Sequence, residues 1–115
     1  MTSLNNRELP IKELMPLIRE RLAAGQSVRF SPRGVSMLPM LRQGKDSVVL
    51  SPVRKELNKY DIPLYRRADG TYILHRIIAA EKDFTCMGDH QFIPEQNISY
   101  EQIIAVVTAF YRGNR

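Results

Sequence analysis

The sequence predicts a mainly β domain with one N-terminal α-helix, and three observations carry that reading. One run near the N-terminus has the hydrophobic spacing of a helix. After Gly25 the apolar residues come instead in short β-rich runs broken by Pro, Gly and Asp, the pattern of an all-β sheet or barrel. The chain has 115 residues, 43% hydrophobic and 25% charged, enough for one core but not two and too apolar for a disordered segment.

The helix is expected over residues 10–24, PIKELMPLIRERLAA. Ile11, Leu14, Met15, Ile18 and Leu22 fall on one face. Pro10 suits the first turn and Gly25 the stop just past the end. Pro16 implies either a kink or a later start. The residues up to Asn5 and Asn6 read as a loose tail. Residues 1–25 are thus a tail and helix belonging to the same domain as the β region, 26–115. Strands are expected at residues 27–30, 47–51, 62–67, 71–79, 84–87 and 103–112. Ala68-Asp69-Gly70 reads as a hairpin turn, because Gly tolerates the positive φ such turns need. Strands 62–67 and 71–79 should therefore pair antiparallel.

The formal net charge is +5, unevenly placed. Residues 1–60 carry 11 basic and 5 acidic groups, and residues 61–115 carry 6 and 7. A basic half is compatible with nucleic acid or an anionic membrane surface. Yet Arg29, Arg33, Arg42, Lys45, Arg54, Lys55 and Lys59 are scattered and not interleaved with aromatics as a recognition motif requires. They read as solvated surface, and no nucleic acid is expected. Cys86 is the only cysteine, so no internal disulfide forms, which suits a reducing compartment. The opening MTSLNNRELP lacks the apolar core of a secretory signal. The apolar run 102–111 is about half the length of a membrane span. A soluble, cytoplasmic protein is expected.

Three short segments carry the chemistry. Arg33-Gly34-Val35-Ser36-Met37-Leu38-Pro39-Met40-Leu41 is apolar but has neither a helix nor a strand period, and Pro39 breaks both ladders. A serine there presents its hydroxyl at a surface, as a nucleophile or as an ordinary turn residue. In Thr71-Tyr72-Ile73-Leu74-His75-Arg76-Ile77-Ile78, strand alternation sends Ile73, His75 and Ile77 to one face and Tyr72, Leu74 and Arg76 to the other. Burial among isoleucines favours the neutral imidazole, which accepts a proton; the competing reading is a core histidine held by one hydrogen bond. In Met87-Gly88-Asp89-His90-Gln91, Asp89 is either a turn residue or the partner of the second His75 nitrogen.

Together, Gly34-Val35-Ser36-Met37-Leu38-Pro39, Tyr60-Asp61-Ile62-Pro63-Leu64-Tyr65, His75-Arg76 and Gly88-Asp89 resemble the ordered boxes of type I signal peptidases. The self-cleaving SOS repressors share that peptidase fold. The resemblance runs over residues 28–112, with supporting features at Gly44 to Val49, at Gly70 and in the last strand. It implies coiled antiparallel sheets or a partly open barrel with one N-terminal helix. It also implies that Ser36 is the nucleophile and that His75 stands at the general-base position. Histidine followed by Arg76 is similar to the archaeal and endoplasmic-reticulum type. Asp89 matches the acidic residue of the Gly-Asp-Asn box, with His90 in place of Asn. Gly34, Val35, Met37, Leu38 and Pro39 would line the bound peptide, which adds as a strand.

The departures are specific. Gly34 sits where some members carry a serine that supplies an oxyanion donor. Glu95 is a poor match for a later acidic residue of the family. The N-terminal helix carries Lys12, Glu13, Arg19, Glu20 and Arg21, too many charges for a membrane anchor. The expected function is a soluble serine endopeptidase acting on a peptide or protein substrate. The alternative is a peptide-binding module on the same scaffold. No cofactor is expected, and no metal: His75, Asp89, His90 and Cys86 are ligand types without a metal-site spacing.

Overall fold

The amphipathic run forms α1, Ile11–Ala23, and the five residues of its apolar face are all buried. Pro16 lies inside this helix on its exposed side, so the helix starts before it. In the second turn a proline forfeits one internal N–H bond. Gly25 stops the helix in the left-handed region at φ +79°. Its N–H donates to the Leu22 carbonyl at 2.9 Å, and that of Gln26 to the Arg21 carbonyl at 3.0 Å, the paired bonds of a Schellman cap. The structure is a computed structural model that describes residues 2–3, 11–31, 46–53, 56–88 and 93–112.

Nine strands are seen among the described residues: β1 Thr2–Ser3, β2 Val28–Phe30, β3 Ser47–Ser51, β4 Pro63–Arg66, β5 Tyr72–Leu74, β6 Arg76–Ala80, β7 Phe84–Met87, β8 Glu95–Ile98 and β9 Ile103–Tyr111. One sheet has the order β1-β2-β3-β9-β4-β5 and the other β6-β7-β8. Apart from the short parallel β1–β2 contact, the pairings are antiparallel. The expected mainly β class with a helix holds, as two sheets not closed into a barrel.

The large sheet lies between two cores. On one side α1 packs with Val28, Phe30, Val48, Leu50, Leu64, Leu74 and Ala105. On the other, Tyr65 and Ile73 meet Ile77, Phe84, Cys86 and Ile98 of the small sheet. Alternation therefore divides neighbours: Leu64 enters the helix-side core, and Tyr65 the core between the sheets. A register shift between Leu64 and Tyr65 against β9 lets Ile104 and Ala105 both face the helix side while Ile103 and Val106 face the other, the effect of one extra residue in a ladder.

Three sequence expectations change. The run 71–79 is not one strand: β5 pairs with β4, the chain leaves that sheet at His75, and β6 pairs with β7. Its period-2 pattern passes through the break because Ile73 and Ile77 enter the same core from different sheets. The hairpin itself is as expected, with Leu64 opposite Leu74 and Tyr65 opposite Ile73, and Gly70 at φ +92°. β8 was not anticipated, since Glu95-Gln96-Asn97-Ile98 has no apolar alternation; it exists through pairing with β7. Thr2 and Ser3 pair with β2 rather than trailing as a tail.

Candidate active site

His75 occupies the step between β5 and β6, where the chain passes from the large sheet to the small one. It is only 2% exposed, which disfavours a charged ring. Its Nδ1 lies 3.4 Å from the hydroxyl of Tyr65, and the two rings meet edge to face with centroids 6.3 Å apart. Tyr65 reaches it because Tyr65 and Ile73 are cross-strand partners, so both project from the His75 side of the hairpin.

Behind Tyr65 stands an ion pair. The Tyr65 hydroxyl donates to Glu95 Oε1 at 2.7 Å. Arg67, just past β4, grips the same carboxylate with both arms: Nε donates to Oε2 at 2.9 Å and Nη2 to Oε1 at 3.0 Å, the fork geometry that makes such pairs strong. The four side chains come from the β4–β5 hairpin, the inter-sheet step and β8.

The electrostatics follow from this layout. Burial, reinforced by the hydrogen bond to Glu95 and its charge, pushes the Tyr65 hydroxyl well above its ordinary value of 10.0, so it stays a proton-bearing donor. For Glu95, partial burial pulls upward, but the hydrogen bonds from Arg67 and Tyr65, with the Arg67 charge, outweigh it. The carboxyl is held below its ordinary 4.5. The hydrogen bond to Glu95 likewise raises Arg67.

A stability consequence follows for Glu95. A carboxyl that binds its proton less readily when folded stabilises the fold above its unfolded pKa and loses that contribution as pH falls through the lower folded value. Glu95→Gln is therefore expected to be less stable than the wild type at about pH 7, with the gap shrinking as pH drops below about 4. Urea unfolding of both proteins across that range measures it.

Cys86, fully buried on β7, is pushed up to about 12 by burial and then by the Glu95 charge. A thiol so held stays protonated and does not serve as a nucleophile at neutral pH. It should resist alkylation in the native protein and react at once in denaturant, as a thiol-labelling time course would show.

Ser36, with Gly34, Val35, Met37, Leu38 and Pro39, lies outside the described residues, as do Asp89 and His90. The structure buries His75, as the alternation predicts, with its ring against Tyr65 of the inter-sheet core. Sequence reasoning passed over Tyr65 and Arg67 and undervalued Glu95. The signal for Tyr65 was present, because a hairpin turning at Asp69-Gly70 brings its face onto that of Ile73 and His75. No comparable signal marked Glu95.

A groove of about 520 Å³ lies elsewhere, bordered by Ser27, Ser51, Glu56, Asn58, Asp61 and Thr108. The Ser51 hydroxyl there bonds both Ser27 and Thr108 at 2.8 Å, with carboxylates but no imidazole among the described lining residues, so His75 defines the site by its chemistry. Among the described residues, no group of three or more His, Cys, Asp or Glu is gathered to hold a metal ion. No described helix is long and apolar enough to cross a membrane. Comparison with protein-family models, curated proteins and solved structures finds no match to this chain.

Proposed function

We propose that the protein is a serine endopeptidase that cleaves an extended peptide segment, with Ser36 as nucleophile and His75 as general base. The observation that carries this reading is the setting of His75: buried between two sheets, with Nδ1 turned to a hydroxyl. In this reading Nε2 is the nitrogen that takes the serine proton. The ordered motifs resembling signal peptidases support the choice of Ser36. They assign Asp89 the acidic role of steadying the imidazolium, which with Nδ1 facing Tyr65 is exerted through its charge and not through a bond to the ring, and Gly34, Val35, Met37, Leu38 and Pro39 the contact with the peptide. Action in the cytoplasm suits the lone, reduced cysteine.

In the proposed reaction Ser36 Oγ attacks the peptide carbonyl as its proton passes to His75. The tetrahedral intermediate collapses when His75 returns that proton to the departing amine, leaving an acyl-serine. Water, deprotonated by the same ring, hydrolyses the ester and restores the hydroxyl. The Ser36 backbone N–H supplies one oxyanion donor, a contribution of about 3 kcal/mol.

The test is incubation of the purified protein with a pooled peptide library, with products read by mass spectrometry. Cleavage by the wild type that vanishes in Ser36→Ala is the expected result; cleavage undiminished in Ser36→Ala overturns it. Gly34 brings no side-chain oxyanion donor, and that favours one second reading, a peptide-binding module. It predicts retained peptide without cut products.

A further inference from the structure

We propose that Tyr65, Glu95 and Arg67 are positioning residues that set the tautomer of His75, placing its hydrogen on Nδ1 and the lone pair on Nε2. This rests on the peptidase reading only for its purpose; the chemistry stands on the hydrogen bonds themselves.

A tyrosine hydroxyl has one proton to give. The Glu95 carboxylate, gripped by both arms of Arg67, is acceptor-only when ionised. The short 2.7 Å contact to Glu95 Oε1 therefore takes the Tyr65 proton. What the hydroxyl oxygen then presents to His75 is a lone pair. An imidazole nitrogen facing a lone pair carries its own hydrogen, so Nδ1 is the donor across the 3.4 Å gap and Nε2 is the base. The proton order runs one way, from His75 Nδ1 to Tyr65 to Glu95, and Arg67 sets its direction by holding the carboxylate ionised.

The 3.4 Å separation is long for a neutral hydrogen bond. Catalytic contacts of this kind tighten when the ring becomes charged. At that moment the Glu95 charge, one hydroxyl away, acts on the imidazolium. The relay thus serves the state in which His75 holds the serine proton.

The experiment is nitrogen-15 NMR of the imidazole ring in a His90→Gln background, which leaves His75 as the only histidine, at a pH where the ring is neutral. Expected is a protonated Nδ1 and an unprotonated Nε2. In Glu95→Met the tyrosine proton has no carboxylate to go to and turns to Nδ1, so the hydrogen moves to Nε2. In Tyr65→Phe the lone pair that holds the hydrogen on Nδ1 is gone, and the Nδ1–H share falls. The backbone amide spectrum reports whether each variant keeps the fold, and the two variants test the same order from different ends. A wild-type ring protonated on Nε2 overturns the proposal, as does an Nδ1–H ring unmoved in both folded variants. The readout comes from the ring and not from cleavage, so a failed relay and a failed peptidase reading give separate results.

Discussion

Replacing His75 with glutamine is expected to lower kcat by roughly a thousandfold on any peptide the protein cleaves, with KM little changed. Glutamine keeps much of the bulk of a side chain that is 98% withdrawn from solvent, so the loss reads chemistry and not a cavity. It cannot take the proton from Ser36 at neutral pH. KM holds on the proposed mechanism, in which the imidazole acts on the reacting hydroxyl alone. The acid limb of the wild-type pH profile, where the ring protonates and the rate falls, should disappear from the residual activity. Steady-state kinetics with circular dichroism on both proteins decides this. A His75→Gln enzyme that folds and retains its rate removes the imidazole from the mechanism.

Leu64→Ala is expected to cost about 3–4 kcal/mol of stability. The side chain is fully buried on β4, between α1 and the large sheet, with β5 and β9 bonded on either side. A strand clasped on both flanks has little freedom to collapse into the vacated space, which places the loss toward the upper part of the range for such truncations. Against a total of about 5–15 kcal/mol for a small domain, that is a large share. The melting temperature should fall by about 15 °C or more. Tyr65→Phe, one residue along the same strand, removes only a hydroxyl and should cost about 1–2 kcal/mol. Thermal and urea unfolding of the two variants gives the contrast directly. If Leu64→Ala proved the milder of the two, the division of β4 between two cores would be wrong.

The contrast between these neighbours shows how the site is built. Leu64 anchors β4 to the helix side, and Tyr65, on the opposite face of the same strand, carries the hydroxyl beside His75. Packing and chemistry share a backbone, so the large sheet is the rigid mount of the candidate base. Glu95 and Arg67 then link that mount to β8 of the small sheet across the inter-sheet core.

Periodicity, caps and turn residues were enough to place α1, the hairpin at Gly70, and strands β3, β7 and β9, because each is dictated by neighbours in the chain. The burial of His75 was legible for the same reason, since alternation continues through any strand-like segment whatever sheet it joins. The break between β5 and β6, the strand status of Glu95–Ile98, and the meeting of Glu95 with Tyr65 were not. These depend on which strand edges pair, and hydrogen-bond partners distant in sequence leave no local signature. A polar four-residue segment becomes a strand only when β7 offers its edge. A glutamate becomes the far end of a hydrogen-bond chain only when that pairing carries it across to the hairpin.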